Sequence, residues 1–525
     1  MKKVKILEVN SVDLVGNRYN GYDMIDIIGG KEFDVKQAVV EKKSDNPKVI
    51  PLLKNDVYRE IHEKFVYFEE VNESIKNVLS ITTPSLIHSK EYKEADIIHF
   101  HMFHNSGISL YALKKITQDK KVIISLHDPW FLTGRCVHFY DCDKWKTGCK
   151  NCGNLKTLFA LNEDNCSELW ELKRKVFEDL DVDLIIPTDW LLNLVKESPI
   201  LKNIKNKHKI LFGIDKDKFS KITYKEARKK LGIEDDEIVF FHRAQNEFKG
   251  TPYVLEALKM MDANKKITIL TCEGKGLLDK VKDKFNIRDL GLLNDEQMIV
   301  TMNACDIFLM PSIGENAGLM AVEAMTCCKP VIIFNNTGLP YVTHAPECGY
   351  LVKNRDSKDL KKAMEYLMEN KAEREKRGKL GRKIVEKEYS NEIYYDSLRK
   401  TYREVYNRKQ KASKVEIPEP TKNSEQFKYH LNDITVRLFG TSDKISKELI
   451  YKVKDKKIKD YKYDYSDLAL QELIWNYENK LYELIEKYDV KLTNTVRKKI
   501  EKLIYVIKNN PDYLKTKITS RLKRK

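Results

Sequence analysis

The alternation of short apolar segments with helical or loop segments is the feature of this sequence that most constrains its fold. It runs through the first 200 residues and begins again near residue 209. Such alternation is typical of parallel sheets with helices on both faces. We therefore predict an α/β chain with two doubly wound, Rossmann-like domains that face a cleft. The clearest predicted strands are Val4–Val9, Ile97–His101, Val122–Leu126, Leu184–Pro187, Ile238–His242, Ile267–Thr271, Ile307–Pro311 and Val331–Phe334.

The order of these segments divides the chain into four predicted regions. Residues 1–208 form an N-terminal Rossmann-like domain with a cysteine-rich insertion at about 134–155, and residues 209–390 form a second Rossmann-like domain. Residues 391–414 are expected to be a helix that returns toward the N-terminal domain. Residues 415–525 are expected to be a helical basic appendage that begins at a proline-containing linker. One apolar helical face runs through Leu470, Leu473, Ile474, Tyr477, Leu481, Leu484, Ile485 and Tyr488.

Composition limits the location and the partners of the chain. No stretch of eighteen residues is both apolar and uncharged, and lysines interrupt the first apolar run, so we predict neither a membrane-spanning helix nor a signal peptide. Ten cysteines without an export signal indicate reduced thiols in a cytoplasm. The net charge is +16, and residues 501–525 hold eight basic residues against two acidic ones. We expect this tail to contact the inner face of a membrane, a lipid-linked acceptor or a partner enzyme, and no nucleic acid.

Two glutamates eight residues apart, Glu315 and Glu323, follow one of the predicted strands. Residues 317–325 have helical apolar spacing, so Glu315 is expected in the loop at a helix N-terminus, with Glu323 about two turns further on. Free backbone N–H groups and the helix dipole favour an anion such as a diphosphate at that end. The alternative is a structural role for both residues, with Glu315 as a helix-capping acid and Glu323 as a surface glutamate. The loop residues expected to line the site are Asn316, Ala317, Gly318 and Leu319.

Two cations follow the first strand of the second predicted sheet. Arg243 comes directly after the strand, and a short loop separates it from Lys249. Gly274 follows the next strand. Ligands bind beyond the carboxyl ends of such strands, so these residues and Glu315 are expected at one edge. The cations would stabilise charge on a departing nucleoside diphosphate without a catalytic metal, and the carboxylate would anchor sugar hydroxyls. Taken singly, Arg243 and Lys249 are more simply interpreted as surface cations.

The order and spacing of these motifs over about residues 1–405 resemble glycosyltransferase family 4, which has the GT-B fold. The resemblance implies a retaining transferase that moves a sugar from a nucleoside-diphosphate sugar to a glycan, lipid-linked or protein acceptor, in cell-surface polysaccharide or glycoconjugate biosynthesis. The matching motifs are Gly213-Ile214-Asp215 with Phe219, Arg243 before Lys249-Gly250, Glu315 with Glu323, Lys329-Pro330-Val331, and Gly338-Leu339-Pro340.

The same resemblance implies roles for individual residues. Glu315 would contact the donor sugar and Glu323 the ribose, while Arg243 and Lys249 would carry the charge of the leaving group. No carboxylate is placed as a covalent nucleophile, which favours the family's front-face route, in which the leaving phosphate helps to deprotonate the acceptor. His127, at a predicted strand end, would be a polar contact to the acceptor or the donor, although a lone histidine is more often structural.

Four further residues of the first domain belong to these expectations. His101 and His104 are candidates of the same kind as His127. The family has a paired-glycine loop after the first strand, whereas this chain has Gly16-Asn17-Arg18-Tyr19-Asn20-Gly21. We predict that Gly16 and Gly21 belong to the substrate-binding surface, and that this loop shapes the acceptor site.

Cysteines and paired aspartates raise the question of a metal. Cys136, Cys142, Cys149 and Cys152 have a spacing that leaves three roles open: a structural zinc site, packed free thiols, or a redox disulfide. A similar insertion occurs in a subset of the resembled family. The other cysteines, including Cys327 and Cys328, are expected to be small buried hydrophobic side chains. The pairs Asp141 with Asp143 and Asp181 with Asp183 spell D-x-D but are expected to be solvated acids, not metal ligands.

Two other functions remain open. A catalytically silent relative could serve as a binding or scaffold subunit through its C-terminal region, which the intact set of Arg243, Lys249, Glu315 and Glu323 argues against. A nucleotide-sugar epimerase would convert the donor without an acceptor. A phosphorylase would need pyridoxal phosphate on a lysine, for which the sequence has no motif.

Overall fold

Two parallel sheets with helices on both faces make up most of the molecule. The computed structural model describes residues 2–156, 161–245, 247–264, 266–409, 417–453, 456–459 and 461–488. Within these residues the first sheet has seven strands in the order β3-β2-β1-β4-β5-β6-β7, and the second has six in the order β10-β9-β8-β11-β12-β13. The prediction of two doubly wound α/β units is confirmed.

The strands of the first sheet are short and mostly buried, because helices cover both faces. Their order reverses at β1, which pairs with β2 on one side and with β4 on the other. A ligand of this domain is therefore expected beyond the carboxyl ends of β1 and β4. The bounds are β1 (Val4–Val12), β2 (Phe33–Glu41), β3 (Val49–Pro51), β4 (Ile97–Phe100), β5 (Lys121–Ser125), β6 (Asp183–Ile186) and β7 (Asn206–Lys209).

The second sheet repeats this plan with its reversal between β8 and β11. Its inner strands are buried runs of isoleucine, leucine and phenylalanine. The bounds are β8 (Ile238–Arg243), β9 (Ile267–Cys272), β10 (Asn286–Asp289), β11 (Ile307–Met310), β12 (Val331–Phe334) and β13 (Tyr350–Val352).

Helices connect the strands and continue the chain beyond the second sheet. Those of the first sheet are α1 (Met24–Ile27), α2 (Asp56–Tyr67), α3 (Thr82–Ile87), α4 (Lys90–Glu94), α5 (Ala112–Asp119), α6 (Cys166–Phe177) and α7 (Asp189–Glu197). Those of the second are α8 (Tyr224–Leu231), α9 (Thr251–Met260), α10 (Asp295–Ala304), α11 (Leu319–Thr326), α12 (Leu339–Val342), α13 (Ser357–Glu369) and α14 (Lys371–Glu388). The remaining helices are α15 (Asn391–Asn407), α16 (Lys422–Phe439), α17 (Lys444–Leu449) and α18 (Leu468–Tyr488). Among the described residues, no helix is both long enough and apolar enough to cross a bilayer.

Helix α15 leaves the second sheet and packs on the first. Tyr394, Leu398 and Tyr402 join the apolar cluster that contains Val35 of β2 and Ile97 of β4. The Tyr402 hydroxyl donates to Glu8 Oε1 at 2.8 Å, inside the first domain. The described part of residues 391–414 is thus a helix that reaches the first sheet.

Helices α16 to α18 share their core with the first domain. Leu431 and Leu481 lie in one apolar cluster with Tyr58 of α2. Glu478 Oε1 accepts the backbone N–H of Ser80 at 2.6 Å, although both are buried. The predicted apolar face of α18 therefore packs on the first domain, and a cut at residue 420 would expose a large apolar surface. The basic segment 501–525 lies outside the described residues.

The sequence places eight strands close to their observed positions but misses five. Predicted and observed ends differ by at most three residues. The strands β7 and β10 escape the pattern because they are polar edge strands, with the sequences NKHK and NIRD. In β2, which reads FDVKQAVVE, charged and amide residues interrupt the apolar pattern.

Candidate active site

Glu315 and Lys249 form a partly buried ion pair at the second sheet. Glu315 lies in the loop between β11 and α11, and Lys249 ends a short turn between β8 and α9. Lys249 Nζ lies 2.7 Å from Glu315 Oε2, and the two side chains are 17% and 16% exposed. Burial would raise the pKa of Glu315, but the adjacent ammonium group holds it below its ordinary value. The carboxylate is therefore ionised at neutral pH.

Two glycines allow the loops that carry this pair to approach closely. Gly250 has φ +85°, and a Cβ there would lie 1.9 Å from the carbonyl oxygen of Pro311. Gly318, which caps α11, has φ +51°, and a Cβ there would lie 2.3 Å from Leu339 Cδ2. Glycine is the residue that tolerates both the left-handed backbone and the close contact.

Arg243 is the last residue of β8 and pairs with Glu273, which belongs to none of the sequence motifs. Arg243 Nε donates to Glu273 Oε2 at 2.7 Å, and Gln245 Nε2 reaches Glu273 Oε1 at 3.1 Å. Gly274 follows Glu273 after β9, and its N–H points to Asp289 Oδ1 at 3.4 Å. Gly274 thus lies one strand away from the reversal of strand order.

The carboxyl ends of β8 and β11 are adjacent, so the loops after them share the switch point of the sheet. Arg243, Lys249 and Glu315 belong to these two loops and strand ends. Arg243, Lys249 and Glu315 therefore lie at one edge of the sheet, and Glu323 lies on the helix that follows Glu315.

Glu323 lies on α11 and pairs with the first domain. Arg18 Nη2, from the loop after β1, lies 2.9 Å from Glu323 Oε1. The carboxylate side chain is 7% exposed, while that of Arg18 is 37% exposed. Burial raises the pKa of Glu323 above its ordinary value, although Arg18 opposes this effect. Sequence reasoning missed Arg18, because a lone arginine in a polar loop carries no signal of its own.

The loop after β1 also contacts the second domain through Tyr19. The Tyr19 hydroxyl donates to the carbonyl oxygen of Gly213 at 2.5 Å. Gly21 has φ +96°, and a Cβ there would lie 2.5 Å from Glu8 Cβ, so this glycine is required by packing. Gly16 has φ +68° with open space around its Cα. The departure from the paired-glycine motif therefore coincides with a loop that bridges the domains.

The residues after Glu315 also bridge the two domains. Asn316 is buried, and its amide Nδ2 donates to the carbonyl oxygen of His127 at 2.9 Å. Its Oδ1 accepts the hydroxyl of Thr188 at 2.8 Å. Ala317 and Leu319 pack against the apolar cluster of the first domain. Both Nδ2 and Oδ1 of Asn316 are thus hydrogen-bonded to residues of the first domain.

His127 is the end of a chain of hydrogen bonds that starts at a buried acid. His101 Nε2 lies 2.7 Å from Glu8 Oε2, and His101 Nδ1 lies 3.3 Å from His127 Nε2. Burial would raise the pKa of Glu8, but His99 and His101 bring it down to about 2. Burial and His99 lower the pKa of His101 to about 4, although Glu8 opposes this. Burial, with repulsion from the other histidines, also lowers the pKa of His127.

These protonation states determine which atom donates and which accepts in each of these hydrogen bonds. A neutral His101 donates its Nε2–H to ionised Glu8, which leaves Nδ1 as an acceptor for the Nε2–H of His127. The Nδ1 of His127 is then an acceptor, suited to a sugar hydroxyl. Glu8, His99 and His101 also have the donor types of a metal site. His99 Nδ1 lies 3.0 Å from Glu8 Oε2 and 2.9 Å from the Tyr402 hydroxyl, and its Nε2 lies 2.8 Å from the Ser125 hydroxyl. Because both ring nitrogens have hydrogen-bond partners, we interpret the cluster as a hydrogen-bond network.

The expectation that the D-x-D aspartates are solvated holds for Asp141 and Asp143, which are exposed, and is wrong for Asp183, which is buried. Asp141 accepts Asn336 Nδ2 at 2.7 Å and pairs with Arg355 at 2.8 Å, both from the second domain. Asp183 is fully buried and pairs with His208 and Arg408. Their charges are compensated by neighbouring side chains that composition alone does not reveal. His104, another sequence candidate, is buried with its Nδ1 3.6 Å from Asp128.

Residues 223–384 match the family model described as "Glycosyl transferases group 1". The chain carries a group 1 glycosyltransferase domain. The chain is similar to a GDP-mannose-dependent monoacylated alpha-(1-6)-phosphatidylinositol monomannoside mannosyltransferase of Corynebacterium glutamicum. The two are 29% identical over 203 residues, and the match covers 35% of this chain and 53% of the relative. The chain spans just over half the length of this relative, and the same is true of another curated relative that it matches.

Solved structures extend the likeness to both sheets. A sucrose-phosphate synthase from Thermosynechococcus elongatus superposes with a TM-score of 0.55 at 16% identity, over 77% of this chain and 99% of that one. Anabaena HepE in complex with UDP superposes with a TM-score of 0.51 at 15% identity, over 77% and 100%. Likeness at this identity establishes the fold, and the group 1 domain is one half of a GT-B fold.

Proposed function

We propose that this protein is a retaining, metal-independent glycosyltransferase of family 4 that uses a nucleoside-diphosphate sugar. The observation that carries the proposal is the Lys249–Glu315 pair, set beside Arg243 at the strand switch of the group 1 domain. Two cations and one ionised carboxylate match a donor that has a diphosphate at one end and hydroxyls at the other. Helix α11 adds its N-terminal N–H groups.

In the proposed reaction, the donor's diphosphate lies near Arg243 and Lys249 and takes over the contact that Lys249 makes with Glu315. The freed carboxylate of Glu315 accepts a hydroxyl of the donor sugar. The bond from the sugar's anomeric carbon to the phosphate oxygen breaks, and its electron pair stays with the departing nucleoside diphosphate. The acceptor hydroxyl bonds to the same face of the anomeric carbon and passes its proton to the departing phosphate oxygen. Added divalent cations should not raise turnover, since Arg243 and Lys249 stabilise the leaving charge.

The first domain supplies the remaining contacts in this proposal. His127 accepts a hydroxyl through Nδ1, held by the chain from Glu8 through His101. Glu323 accepts the ribose hydroxyls, which requires its carboxylate to be ionised. The loop from Gly16 to Gly21, together with residues 316–319, lines the substrate cleft.

The class of donor and acceptor follows by analogy. The Corynebacterium relative is named for GDP-mannose and a phosphatidylinositol acceptor, and HepE was solved with UDP. We propose a nucleoside-diphosphate sugar as donor and a glycan or lipid-linked acceptor in cell-surface polysaccharide or glycolipid biosynthesis.

The proposal includes a peripheral contact with the cytoplasmic face of a membrane through residues 501–525. Because α16 to α18 belong to the core of the first domain, the test should remove only residues 489–525. The shortened protein should keep its thermal stability and its donor hydrolysis, but lose sedimentation with vesicles that contain anionic lipid. Equal sedimentation of both forms would contradict the membrane contact.

The first experiment on the function is thermal stabilisation by a panel of uridine-, guanosine- and adenosine-diphosphate sugars. One donor should raise the melting temperature of the wild type, and Lys249→Ala and Glu315→Ala should lose that shift. Absence of a shift with every donor, in folded protein, would favour a binding or scaffold role. Conversion of a donor sugar without any acceptor would favour an epimerase.

A further inference from the structure

Five cysteines of the first domain line one small cavity. Four of them, Cys136, Cys142, Cys149 and Cys152, come from the insertion, and the fifth, Cys166, begins helix α6. All five are free thiols. The sequence had grouped only the first four, because Cys166 lies fourteen residues beyond Cys152 and outside their spacing.

The donor atoms at one end of the cavity are at metal-ligand separations. The Sγ atoms of Cys152 and Cys166 and a carboxylate oxygen of Asp164 lie within 4.8 Å of one another. Asp164 also orients both cysteines, since its carboxylate accepts the N–H of Cys152 at 2.7 Å and that of Cys166 at 3.3 Å. A tetrahedral zinc ion with bonds of about 2.3 Å to sulfur needs its ligands at such mutual distances.

Three further thiols, those of Cys136, Cys142 and Cys149, line the rest of the same cavity. The N–H of Gly134 donates to Cys149 Sγ at 3.2 Å. A hydrogen bond from a backbone N–H to sulfur stabilises a thiolate more than a thiol.

Two buried basic side chains lie beside the cavity. Lys173 of α6 is fully buried, and its Nζ donates to the carbonyl oxygens of Trp130, Thr133 and Gly134. Arg135 is buried at the wall of the same cavity. One zinc ion with four thiolates has a net charge of −2, and basic groups close to such a site stabilise that charge.

We propose that this cavity binds one zinc ion through four cysteine thiolates: Cys152 and Cys166, whose Sγ atoms are at ligand separation, and two of the cysteines that line the rest of the cavity, Cys136, Cys142 and Cys149. The site is structural, because four thiolates leave no open position for a substrate. Binding replaces thiol protons with one metal ion, and involves no redox step.

The segment that this zinc would anchor contacts the second domain beside the candidate active site. Residues 137–141 lie between two of the cysteines, and the ring of His138 lies 5.3 Å from that of Phe248. A Cβ on Gly314 would lie 2.8 Å from His138 Cγ, so the segment packs directly on the loop of Glu315. Asp141 completes the contact through Asn336 and Arg355. The zinc would fix both the fold of the insertion and this bridge between domains.

Metal analysis of the full-length protein, purified without chelator, tests the site directly. We expect about one zinc per chain in the wild type and in Cys305→Ser, a control that removes a buried cysteine of the second domain. The double variant Cys152→Ser with Cys166→Ser should hold less than about a tenth of that amount. Absence of zinc from the wild type, before and after incubation with zinc under reducing conditions, would overturn the proposal.

A second measurement needs only the wild type, in case the double variant fails to fold. Replacement of the metal by cobalt should give the visible spectrum of a tetrahedral thiolate complex. Removal of zinc with a strong chelator should speed tryptic cleavage at Lys144, Lys146 or Lys150, near the cavity, more than cleavage in the second domain. Intact disulfides among these cysteines by mass spectrometry, or unchanged cleavage after complete zinc removal, would contradict the site or its anchoring role. Neither readout depends on transferase activity.

Discussion

The two halves of the candidate site are built in different ways. On the second sheet, Arg243, Lys249 and Glu315 come from two adjacent strand ends and the turns that follow. On the first sheet, the chain from Glu8 to His127 joins side chains of β1 and of the segments after β4 and β5, and Tyr402 of α15 adds a further contact. We call the first arrangement the local half, because two adjacent strand ends supply it, and the second the distributed half, because β1, the segments after β4 and β5, and α15 all contribute to it.

Their electrostatics differ in the same way. Lys249 and Glu315 belong to one domain, and the ammonium group keeps the pKa of Glu315 low in spite of burial. Arg18 and Glu323 belong to different domains, and burial wins over Arg18, so that the pKa of Glu323 is raised. The charge on Glu315 is therefore secured within one domain, while that on Glu323 depends on the approach of the other.

The largest expected effect follows from removing the cation of the local half. Lys249→Ala should lower kcat by about 10²-fold to 10³-fold, because it removes a charge that stabilises the leaving group. It should lower the free energy of unfolding by only about 1–3 kcal/mol, since Glu315 loses its partner. Lys259 of α9 pairs with Glu256 at the surface. The matched control Lys259→Ala should therefore change neither kcat nor the free energy of unfolding. Parallel loss of activity and stability in Lys249→Ala would contradict a catalytic role.

The second effect tests whether the distributed half positions His127. Glu8→Gln should lower kcat/KM about tenfold, the equivalent of roughly 1.4 kcal/mol by which a charge-assisted hydrogen bond exceeds a neutral one. Initial rates with the donor identified in the thermal panel measure it. Glu32→Gln, which alters an exposed pair with Arg403, is the control. An unchanged kcat/KM in folded Glu8→Gln would show that His127 does not need this chain.

The same variant has a signature in stability against pH. The pKa of Glu8 is about 2 in the folded protein and 4.5 ordinarily, so its ionised form stabilises the fold above pH 4.5. That stabilisation is lost as the pH falls from 4.5 toward 2. Urea unfolding at several pH values should show a steeper acid loss in the wild type than in Glu8→Gln. Identical slopes would mean that Glu8 is not ionised in the fold.

This contrast also explains what the sequence could and could not predict. The fold class and the charged set of the second sheet were predictable, because apolar strands and the residues just after them are contiguous in sequence. Arg18 and Glu273 were not, since an arginine in a polar loop or an acid after a strand becomes significant only through its partner. The same holds for Cys166 and Asp164, which reach the cysteine cavity only through the packing of α6.

A smaller effect is expected from the pair that spans the domains. Arg18→Ala should raise the KM for the donor about fivefold, because Glu323 loses a partly exposed ion pair worth about 1 kcal/mol. Without Arg18 the pKa of Glu323 rises further, so the acid limb of the profile of kcat/KM against pH should move to higher pH. Arg403→Ala, in an exposed pair, is the control. A change in kcat alone, with an unmoved acid limb, would contradict the role of Glu323 in binding the donor.

The smallest effect concerns the neutral hydrogen bond between the domains. The hydroxyl of Thr188 donates to Asn316 Oδ1 and also caps helix α7 by accepting the N–H of Leu191. Thr188→Val removes both, whereas Thr223→Val removes the cap of α8 without a bond to the other domain. A helix cap is worth about 1 kcal/mol, so any greater loss of unfolding free energy in Thr188→Val reports the bond to Asn316, which we expect to add about 1 kcal/mol. Activity should fall by less than about tenfold, since a bond of this size shifts a rate or binding constant by no more than that and Asn316 retains His127 as a partner. A loss of activity greater than tenfold would mean that this single neutral contact controls the loop of Glu315, and the local half of the site would then depend on the first domain as much as Glu323 does.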